Sequence, residues 1–307
     1  MESPLVSVVI PTYNRADYLK QAIESVLAQT YTNFELLILD NCSTDQTPGI
    51  VAQFNDPRIK YIRHQCNIGA SANWTYGIYW AKGEYISILG DDDWYLPEFI
   101  SKRVDVFNKY KNVLAVFSNY NTCYQNGSVS EIINSPSYSQ EKTLTGKELV
   151  NESVNHGWFL GATLYKRDIV AGLFEKSLMA GKAGDTLLNI YIALTPNSNV
   201  VRICNKDLIY RIHPEQDSMK NMRMMWLGYI SACNLALWEE ESFEYSKILN
   251  NSAARIYNLL GRLVWDSGQK KLSRRYFKQQ LIRDPFNLIA WLRYLRCFYP
   301  WYKIRKI

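Results

Sequence analysis

Residues 85–94 read YISILGDDDW, an apolar run that ends in three consecutive acids, Asp91, Asp92 and Asp93. Isoleucine and tyrosine favour extended chain, and an apolar run of about five residues is typical of a strand buried on both faces of a parallel sheet. Such sheets bind ligands outside the carboxyl ends of their strands. The stretch therefore predicts an α/β fold with the three acids on its binding rim.

The acidic triplet also indicates a cation. Three adjacent carboxylates repel one another, and hard oxygen ligands select Mg²⁺ or Mn²⁺, often together with substrate phosphates. If the chain stays extended, Asp91 and Asp93 share one face and Asp92 points to the other. The alternative is a solvated acidic turn that caps a helix beginning at Leu96.

Strands and helices alternate over the first 118 residues. We predict strands over 6–10, 34–39, 59–63, 85–89 and 113–118, and helices over 16–29, 44–54, 69–81 and 96–110. This alternation implies a Rossmann-like, mostly parallel sheet with helices on both faces.

The pattern changes after residue 118. Residues 119–139, which include the turn signal Gln125-Asn126-Gly127, predict a hairpin or a long loop. Further strands are predicted over 158–165 and 199–212, around a helix over 185–194, and only helical patterns follow residue 218. We therefore expect a first domain over 1–217 and a helical C-terminal region over 218–307.

Composition is that of an ordinary globular protein. The chain has 307 residues, 47% of them hydrophobic, which suffices for a sizeable core. Six scattered cysteines without a CxxC pair favour reduced thiols. Neither a signal peptide nor an uncharged apolar run long enough for a membrane span is indicated. We expect a cytoplasmic protein, soluble or peripheral on the cytoplasmic face of the membrane.

Positive charge is concentrated at the C-terminus. Residues 268–307 hold 11 Lys or Arg against the single acid Asp284, with many aromatic residues among them, although the whole chain carries only +6. A predicted amphipathic helix over 281–298 lies in this part. Basic and aromatic residues together suggest an anionic membrane surface as a partner. The alternatives are packing on the first domain, a solvated face or an oligomer contact, and we expect no nucleic-acid partner.

Other predicted strand ends carry polar residues on the same rim. Pro11, Thr12, Tyr13 and Asn14 follow the first strand, and Asp40 follows the second. Tyr13 could stack on a nucleobase, and Asp40 could accept a hydrogen bond from a base N–H. The alternative is that Asn14 caps the helix at 16, and that Asp40 or Ser43 caps the helix at 44.

A third loop, over 67–73, begins with Asn67 and is rich in small residues. Such residues let a phosphate approach a helix N-terminus. By itself the loop is a weak signal.

Together these segments resemble the inverting glycosyltransferases of family 2, which have the GT-A fold. The resemblance is carried by VSVVIPTYNRADYLKQAIESVLAQTYTNFELLILDNCSTDQT over 6–47, NIGASANW over 67–74 and GEYISILGDDDWYLPEF over 83–99. It is dense over 5–118, thinner to 215 and absent from the C-terminal helices.

The resemblance implies a role for each of these segments. Asp40 would contact the nucleobase, and Thr12 to Asn14 would line the nucleoside pocket. The acidic triplet would be the DxD motif, with Asp91 and Asp92 facing ribose and metal and Asp93 as the principal metal ligand. Gly90 stands where many members carry a further acid.

Inverting transfer also needs a base for the proton of the acceptor hydroxyl. Asp185 follows Gly184 where the family often carries an ED pair, so the resemblance implies that Asp185 is this base. The alternative is an ordinary helix N-cap. By the same resemblance His213 approaches the metal or the diphosphate, although a lone His at a strand end is often a packing or surface residue.

The resemblance thus implies a metal-dependent inverting transferase that uses Mn²⁺ or Mg²⁺. It would move a sugar from a nucleotide-sugar donor, with UDP as the default nucleotide, to a hydroxyl of a saccharide or lipid-linked saccharide in cell-surface polysaccharide or glycolipid synthesis. Two alternatives stay open. The first is a noncatalytic nucleotide-sugar-binding or membrane scaffold protein, which Gly90 and Gly184 allow, and the second is a sugar nucleotidyltransferase.

Overall fold

The fold is taken from a computed structural model of the chain. The structure describes residues 3–126, 129–133, 138–155, 158–216 and 222–297.

Twelve strands in the described residues form two sheets. The central sheet contains β1 Val6–Thr12, β2 Phe34–Asp40, β3 Ile59–Arg63, β4 Tyr85–Ile88, β6 Val113–Phe117, β9 Lys142–Leu144, β10 Thr163–Lys166 and β11 Asn199–Arg202. The second sheet contains β5 Trp94–Tyr95, β7 Asn121–Asn126, β8 Val129–Ile133 and β12 Leu208–Ile212, in the order β5-β12-β7-β8.

The central sheet has the order β3-β2-β1-β4-β10-β6-β11-β9. The first four strands are parallel, as are β6 and β11. Strand β10 runs antiparallel to both of its neighbours, and β9 runs antiparallel to β11. The sheet is therefore mostly parallel, with its parallel edge built from the first three strand–helix units.

Eleven helices occur in the described residues. Seven precede residue 200, namely α1 Ala16–Leu27, α2 Thr47–Val51, α3 Ala70–Trp80, α4 Phe99–Lys109, α5 Gly146–Asn155, α6 Arg167–Ser177 and α7 Gly184–Leu194. Four more form the C-terminal region, namely α8 Met222–Ala236, α9 Ser246–Asp266, α10 Lys270–Arg283 and α11 Leu288–Arg296. Short 3₁₀ segments lie at Leu160–Ala162, Leu178–Ala183 and Glu240–Tyr245.

Different helices cover the two faces of the central sheet. Val8 and Ile10 of β1 pack in one cluster with Ile23 of α1, whereas Val9 packs in another cluster with Ile78 of α3. Successive side chains of a strand point to opposite faces, and every residue of β1 is buried. The prediction of a mostly parallel sheet with helices on both faces is confirmed.

Two strand predictions were wrong in extent. The strand predicted over 158–165 begins only at Thr163, after a 3₁₀ segment, and the one predicted over 199–212 divides into β11 and β12 in different sheets. Short apolar runs do not reveal by periodicity whether they are strand or another buried segment. Asp207, which lies between β11 and β12 where the chain passes from one sheet to the other, forms an ion pair with the buried Arg103.

Two helix predictions were also too long. Of the helix predicted over 44–54, only α2 Thr47–Val51 forms. The Thr44 N–H donates to Asn14 Oδ1 at 2.8 Å, so this residue is held by the loop after β1 and lies outside the helix. The helix predicted over 281–298 is interrupted after Arg283, and α11 restarts after Asn287, whose Oδ1 accepts from the Ala290 N–H at 3.0 Å.

The predicted hairpin is present as β7 and β8. Gly127 of its turn, residue 298 at the predicted helix end and the domain boundary predicted between 217 and 218 all lie outside the described residues.

The C-terminal helices pack directly on the sheet-containing part. Helix α8 lies against the 3₁₀ segment 178–183, and a Cβ at Gly228 would lie only 2.7 Å from the carbonyl oxygen of Ala180. None of the helices in the described ranges combines the length and the apolar character needed to cross a bilayer.

Candidate active site

The acidic triplet lies immediately after β4, at the predicted rim, but in a turn. The Asp93 N–H donates to the Gly90 carbonyl at 3.2 Å. The prediction that extended chain places Asp91 and Asp93 on one face was therefore wrong. A Cβ at Gly90 would lie 3.0 Å from carboxylate oxygens of Asp92 and Asp93, so this turn leaves little room for a further acid at that position.

Burial and mutual repulsion both act on these acids. Burial raises the pKa of Asp91 to about 7, and the charge of Asp92 adds to the rise, while Thr12 and Arg15 oppose it. Burial also raises the pKa of Asp93 well above its usual range, again with a contribution from Asp92. Burial and the charge of Asp92 thus both disfavour the ionised forms of Asp91 and Asp93.

Strand β12 brings two further polar side chains to the triplet. The Arg211 N–H donates to Asp93 Oδ1 at 2.9 Å, and its Nε donates to the Asp92 carbonyl at 2.8 Å. His213 Nε2 lies 3.0 Å from Asp92 Oδ2. His213 therefore lies next to the triplet. Its imidazole pairs with Asp92, and not with Asp91 or Asp93, the two acids expected to bind the metal with it.

The donor set suits a hard cation without forming a complete site. In the part of the chain that the structure describes, no group of three His, Cys, Asp or Glu side chains is arranged to hold a metal ion. Carboxylate oxygens are nevertheless the ligands that suit Mg²⁺ and Mn²⁺, and Mg²⁺ commonly completes its shell with substrate phosphates and water. His213 Nδ1 is buried without a hydrogen-bond partner among the described residues. By donor chemistry the residues fit such an ion.

Asp40 organises the rim between β2 and β3. Its side chain is fully buried, and its oxygens accept from the Ser43 N–H at 2.7 Å and from the Tyr61 hydroxyl at 2.5 Å. Arg63 Nε lies 3.3 Å from the same carboxylate. Burial, together with Asp40, raises the pKa of Tyr61. A nucleobase N–H would therefore have to share an oxygen that already has a protein partner, and the predicted base contact of Asp40 stays a prediction.

The loops after β1 and β2 are joined by hydrogen bonds. The Asn14 N–H donates to Ser43 Oγ at 2.9 Å, and Asp45 Oδ2 accepts from the Ala16 N–H at 3.1 Å. The alternative in which Asn14 caps α1 is therefore wrong, because Asp45 satisfies that helix end from the neighbouring loop. Tyr13 projects from this joined pair of loops with 45% of its surface exposed, free to contact a planar ligand.

Pro11 and Thr12 belong to β1 itself, and Thr12 lies in register with Asp40. Asn67 lies in the loop after β3, which contacts the loop that follows Asp40. Its Oδ1 accepts from Asn41 Nδ2 at 3.0 Å, and Asn41 Oδ1 accepts from the Ile68 N–H at 2.8 Å. The sequence reasoning did not select Asn41, although its position directly after β2 was a signal for it. All the predicted nucleotide-binding residues therefore lie on strand ends and loops of one rim.

Asp185 lies in the first turn of α7 and lines a cavity of about 830 Å³. Burial raises its pKa, and the Thr186 N–H donates to its Oδ1 at 2.7 Å. Tyr120 lines the same cavity, and the charge of Asp93 contributes, after burial, to a raised pKa of Tyr120. Tyr120 thus lies on the wall of the cavity of Asp185 and within electrostatic range of Asp93.

A second carboxylate, Glu152, lines this cavity. It lies 3.7 Å from Arg202 Nη1 and accepts from the Tyr138 hydroxyl at 3.4 Å. Glu152 thus has a cationic neighbour, whereas the contacts described for Asp185 are with Thr186.

A mostly parallel sheet with an acidic turn and polar loops at the carboxyl ends of its strands is the architecture of the GT-A glycosyltransferases. The family model described as Glycosyl transferase family 2 matches residues 7–171. The chain belongs to this family.

Individual proteins agree with this assignment. An uncharacterized glycosyltransferase, RT0329 of Rickettsia typhi, is 36% identical over 180 residues, which cover 57% of this chain and 55% of that protein. The Escherichia coli protein WfgD, named as a UDP-Glc:alpha-D-GlcNAc-diphosphoundecaprenol beta-1,3-glucosyltransferase, is 32% identical over 133 residues, covering 43% and 52%. The chain spans about half the length of these relatives.

Among solved structures, residues 1–349 of TarS from S. aureus, in complex with UDP-GlcNAc, superpose with a TM-score of 0.70. The match covers 95% of this chain and 89% of that one at 16% identity. This likeness shows a shared fold, which includes the C-terminal helical region.

Proposed function

We propose that this protein transfers a sugar from a nucleotide-sugar donor to a hydroxyl acceptor, with inversion at the anomeric carbon. The observation that carries the proposal is an acidic turn on the rim of the sheet together with a cavity lined by Asp185 and by Tyr120, which feels the charge of Asp93. The acidic turn offers carboxylates for a cation that binds the donor diphosphate. Asp185 offers a carboxylate that can take a proton from the acceptor hydroxyl.

The donor nucleoside would occupy the rim formed by the loops after β1, β2 and β3. Tyr13 would stack on the base, while Thr12, Asn14, Asp40 and Asn67 would line the pocket. UDP is the nucleotide we favour. TarS in complex with UDP-GlcNAc and the UDP-Glc named for WfgD support it.

Asp91 and Asp93, with His213, would hold Mg²⁺ or Mn²⁺, and Asp92 would face the ribose and the ion. When bound, the cation supplies positive charge to the diphosphate leaving group. Arg211 donates to the Asp93 carboxylate and to the Asp92 carbonyl, so the turn keeps its shape before the donor arrives.

Asp185 would accept the proton of the acceptor hydroxyl while the hydroxyl oxygen attacks the anomeric carbon. The bond to the diphosphate breaks on the opposite face, so the configuration inverts. A carboxylate whose pKa is raised by burial is a stronger base, which suits this role.

The acceptor would lie in the cavity of Asp185, where Tyr120, Trp158 and Phe159 offer aromatic surface to a sugar ring. We favour a saccharide or a lipid-linked saccharide in cell-surface polysaccharide or glycolipid synthesis, on the cytoplasmic side of the membrane. The diphosphoundecaprenol acceptor named for WfgD supports the lipid-linked class.

Release of nucleoside diphosphate from UDP-, dTDP- and GDP-sugars tests the proposal. The assay runs with Mn²⁺ or Mg²⁺ and with EDTA, in the presence of a saccharide acceptor panel. We expect release from one donor class, lost with EDTA and in Asp93→Ala. Asp185→Asn should lower turnover by about 10²- to 10⁴-fold and leave donor binding intact by calorimetry. NMR of the product anomer checks inversion.

The matched control is Asp168→Asn, an exposed acid in the first turn of α6, which should leave release unchanged. Donor binding without release from any donor and acceptor would instead favour the noncatalytic alternative. Full activity of Asp185→Asn would remove that residue from the mechanism.

A further inference from the structure

The turn between α10 and α11 and the outer side of α11 leave large apolar side chains in solvent. We call this set the C-terminal apolar face, and its members are Ile282, Phe286, Leu288, Ile289, Trp291, Leu292 and Leu295. Phe286 is 95% exposed and Leu288 is 72% exposed. Soluble monomers rarely expose a large apolar patch, and such patches usually mark a site of interaction. We therefore expect this face to bind a partner.

The opposite side of α11 is fixed to the protein, which determines the direction of this face. Ala290 is fully buried, and Arg293 Nη1 donates to Asn258 Oδ1 of α9 at 2.5 Å. The guanidinium of Arg296 lies 5.3 Å from the ring of Trp265. Leu288, Leu292 and Leu295 follow at helical spacing and therefore form one outward stripe.

Positive charge borders the apolar residues. Lys271, Arg275 and Lys278 are exposed and lie at helical spacing on α10, in a row that continues to Ile282. Residues 268–297 carry eight Lys or Arg against the single acid Asp284. A partner that covers this surface must therefore offer both apolar material and negative charge.

We propose that the C-terminal apolar face rests on a bilayer surface that contains anionic phospholipids. The apolar side chains would enter the boundary between headgroups and acyl chains, and the row of Lys271, Arg275 and Lys278 would meet lipid phosphates. A second copy of the chain fits less well, because a symmetric pairing of this face would bring two such positive surfaces together. The inference does not depend on the proposed activity.

Flotation of the full chain with lipid vesicles tests this. One set of vesicles is pure phosphatidylcholine, and the other also contains phosphatidylglycerol. We expect the protein to float with the anionic vesicles and to dissociate as salt is added, because salt screens exposed charges.

Two variant sets separate the two contributions. Leu288→Gln with Leu292→Gln, and separately Lys271→Gln with Arg275→Gln and Lys278→Gln, should each lower the partition coefficient by about tenfold or more. The matched controls, Met179→Gln for an exposed apolar residue and Lys111→Gln with Lys147→Gln for exposed cations, should bind as the parent does. Circular dichroism and urea unfolding confirm that each variant is folded.

Absence of flotation, or equal flotation of the parent and both variant sets, would overturn the proposal. So would light scattering that shows a dimer which Leu288→Gln with Leu292→Gln dissociates, since the face would then bind a second copy. Equal binding to both kinds of vesicle would overturn the role of the basic row.

Discussion

Asp45 is an exposed residue that joins two loops of the candidate site. Its Oδ2 accepts from the Ala16 N–H at the start of α1, and its Oδ1 accepts from the Thr47 N–H of α2 at 3.0 Å. One carboxylate thus satisfies the N-termini of two helices, which carry unpaired N–H groups and a positive end of the dipole. The loops that carry Tyr13 and Asp40 are held together partly through this residue.

We expect Asp45→Ala to lower the free energy of unfolding by about 1–2 kcal/mol, as loss of a helix cap does. Urea unfolding followed by circular dichroism measures this. Gln46→Ala, at the exposed neighbouring position, should change it by less than about 0.5 kcal/mol. Equal effects of the two substitutions would show that the capping contacts contribute nothing.

Helix α4 is fixed behind the site by one buried cation. Arg103 is fully buried, and its Nη1 donates to Asp207 Oδ1 at 2.8 Å and to the Phe99 carbonyl at 2.9 Å. Its Nη2 donates to Ser118 Oγ at 2.7 Å and to the Ala162 carbonyl at 3.0 Å. Arg103 therefore joins α4 to the ends of β6 and β10 and to the chain entering β12, the strand that carries Arg211 and is followed by His213.

Replacement of Arg103 by Met should lower the free energy of unfolding by about 3–5 kcal/mol, because it leaves Asp207 as an unpaired buried charge. The double variant Arg103→Met with Asp207→Leu should recover part of this loss. Chemical unfolding measures both. Lys102→Met, which breaks only an exposed pair with Glu98, should cost no more than about 1 kcal/mol. If Arg103→Met alone lowered the free energy of unfolding only slightly, Arg103 would not be the residue that holds α4 through Asp207.

The molecule as a whole depends on close docking of its C-terminal helices near Asp185. Helix α8 approaches the 178–183 segment, directly before α7, at Gly228. A Cβ there would also lie 3.0 Å from the Ala183 N, two residues before Asp185. The region without resemblance to the family motifs thus supports the segment that carries the proposed base.

A methyl group added at Gly228 should therefore lower the stability of the fold and displace the segment before Asp185. We expect Gly228→Ala to lower the free energy of unfolding by about 1–3 kcal/mol through overpacking. Gly172→Ala, in α6 where a Cβ meets nothing within 4 Å, should be neutral or stabilising by up to about 1 kcal/mol. Thermal unfolding of both variants distinguishes them, and similar melting temperatures would argue against tight docking at Gly228.

Strand–helix alternation and apolar runs were enough to predict the central sheet, the helices on both faces and the helical C-terminal region, because these features depend on local pattern. The same residues placed the candidate site on the rim, since each predicted strand end carried its polar residues directly after it.

Only the tertiary structure decided how those residues are used. The turn at Asp91–Asp93, the cap that Asp45 supplies to α1, and the pairing of His213 with Asp92 all join segments far apart in the chain or depart from extended backbone. The split of residues 199–212 between two sheets likewise occurs where Asp207 pairs with Arg103, a residue distant in the chain. Such contacts are set by burial and hydrogen bonding between distant residues, which no local periodicity records.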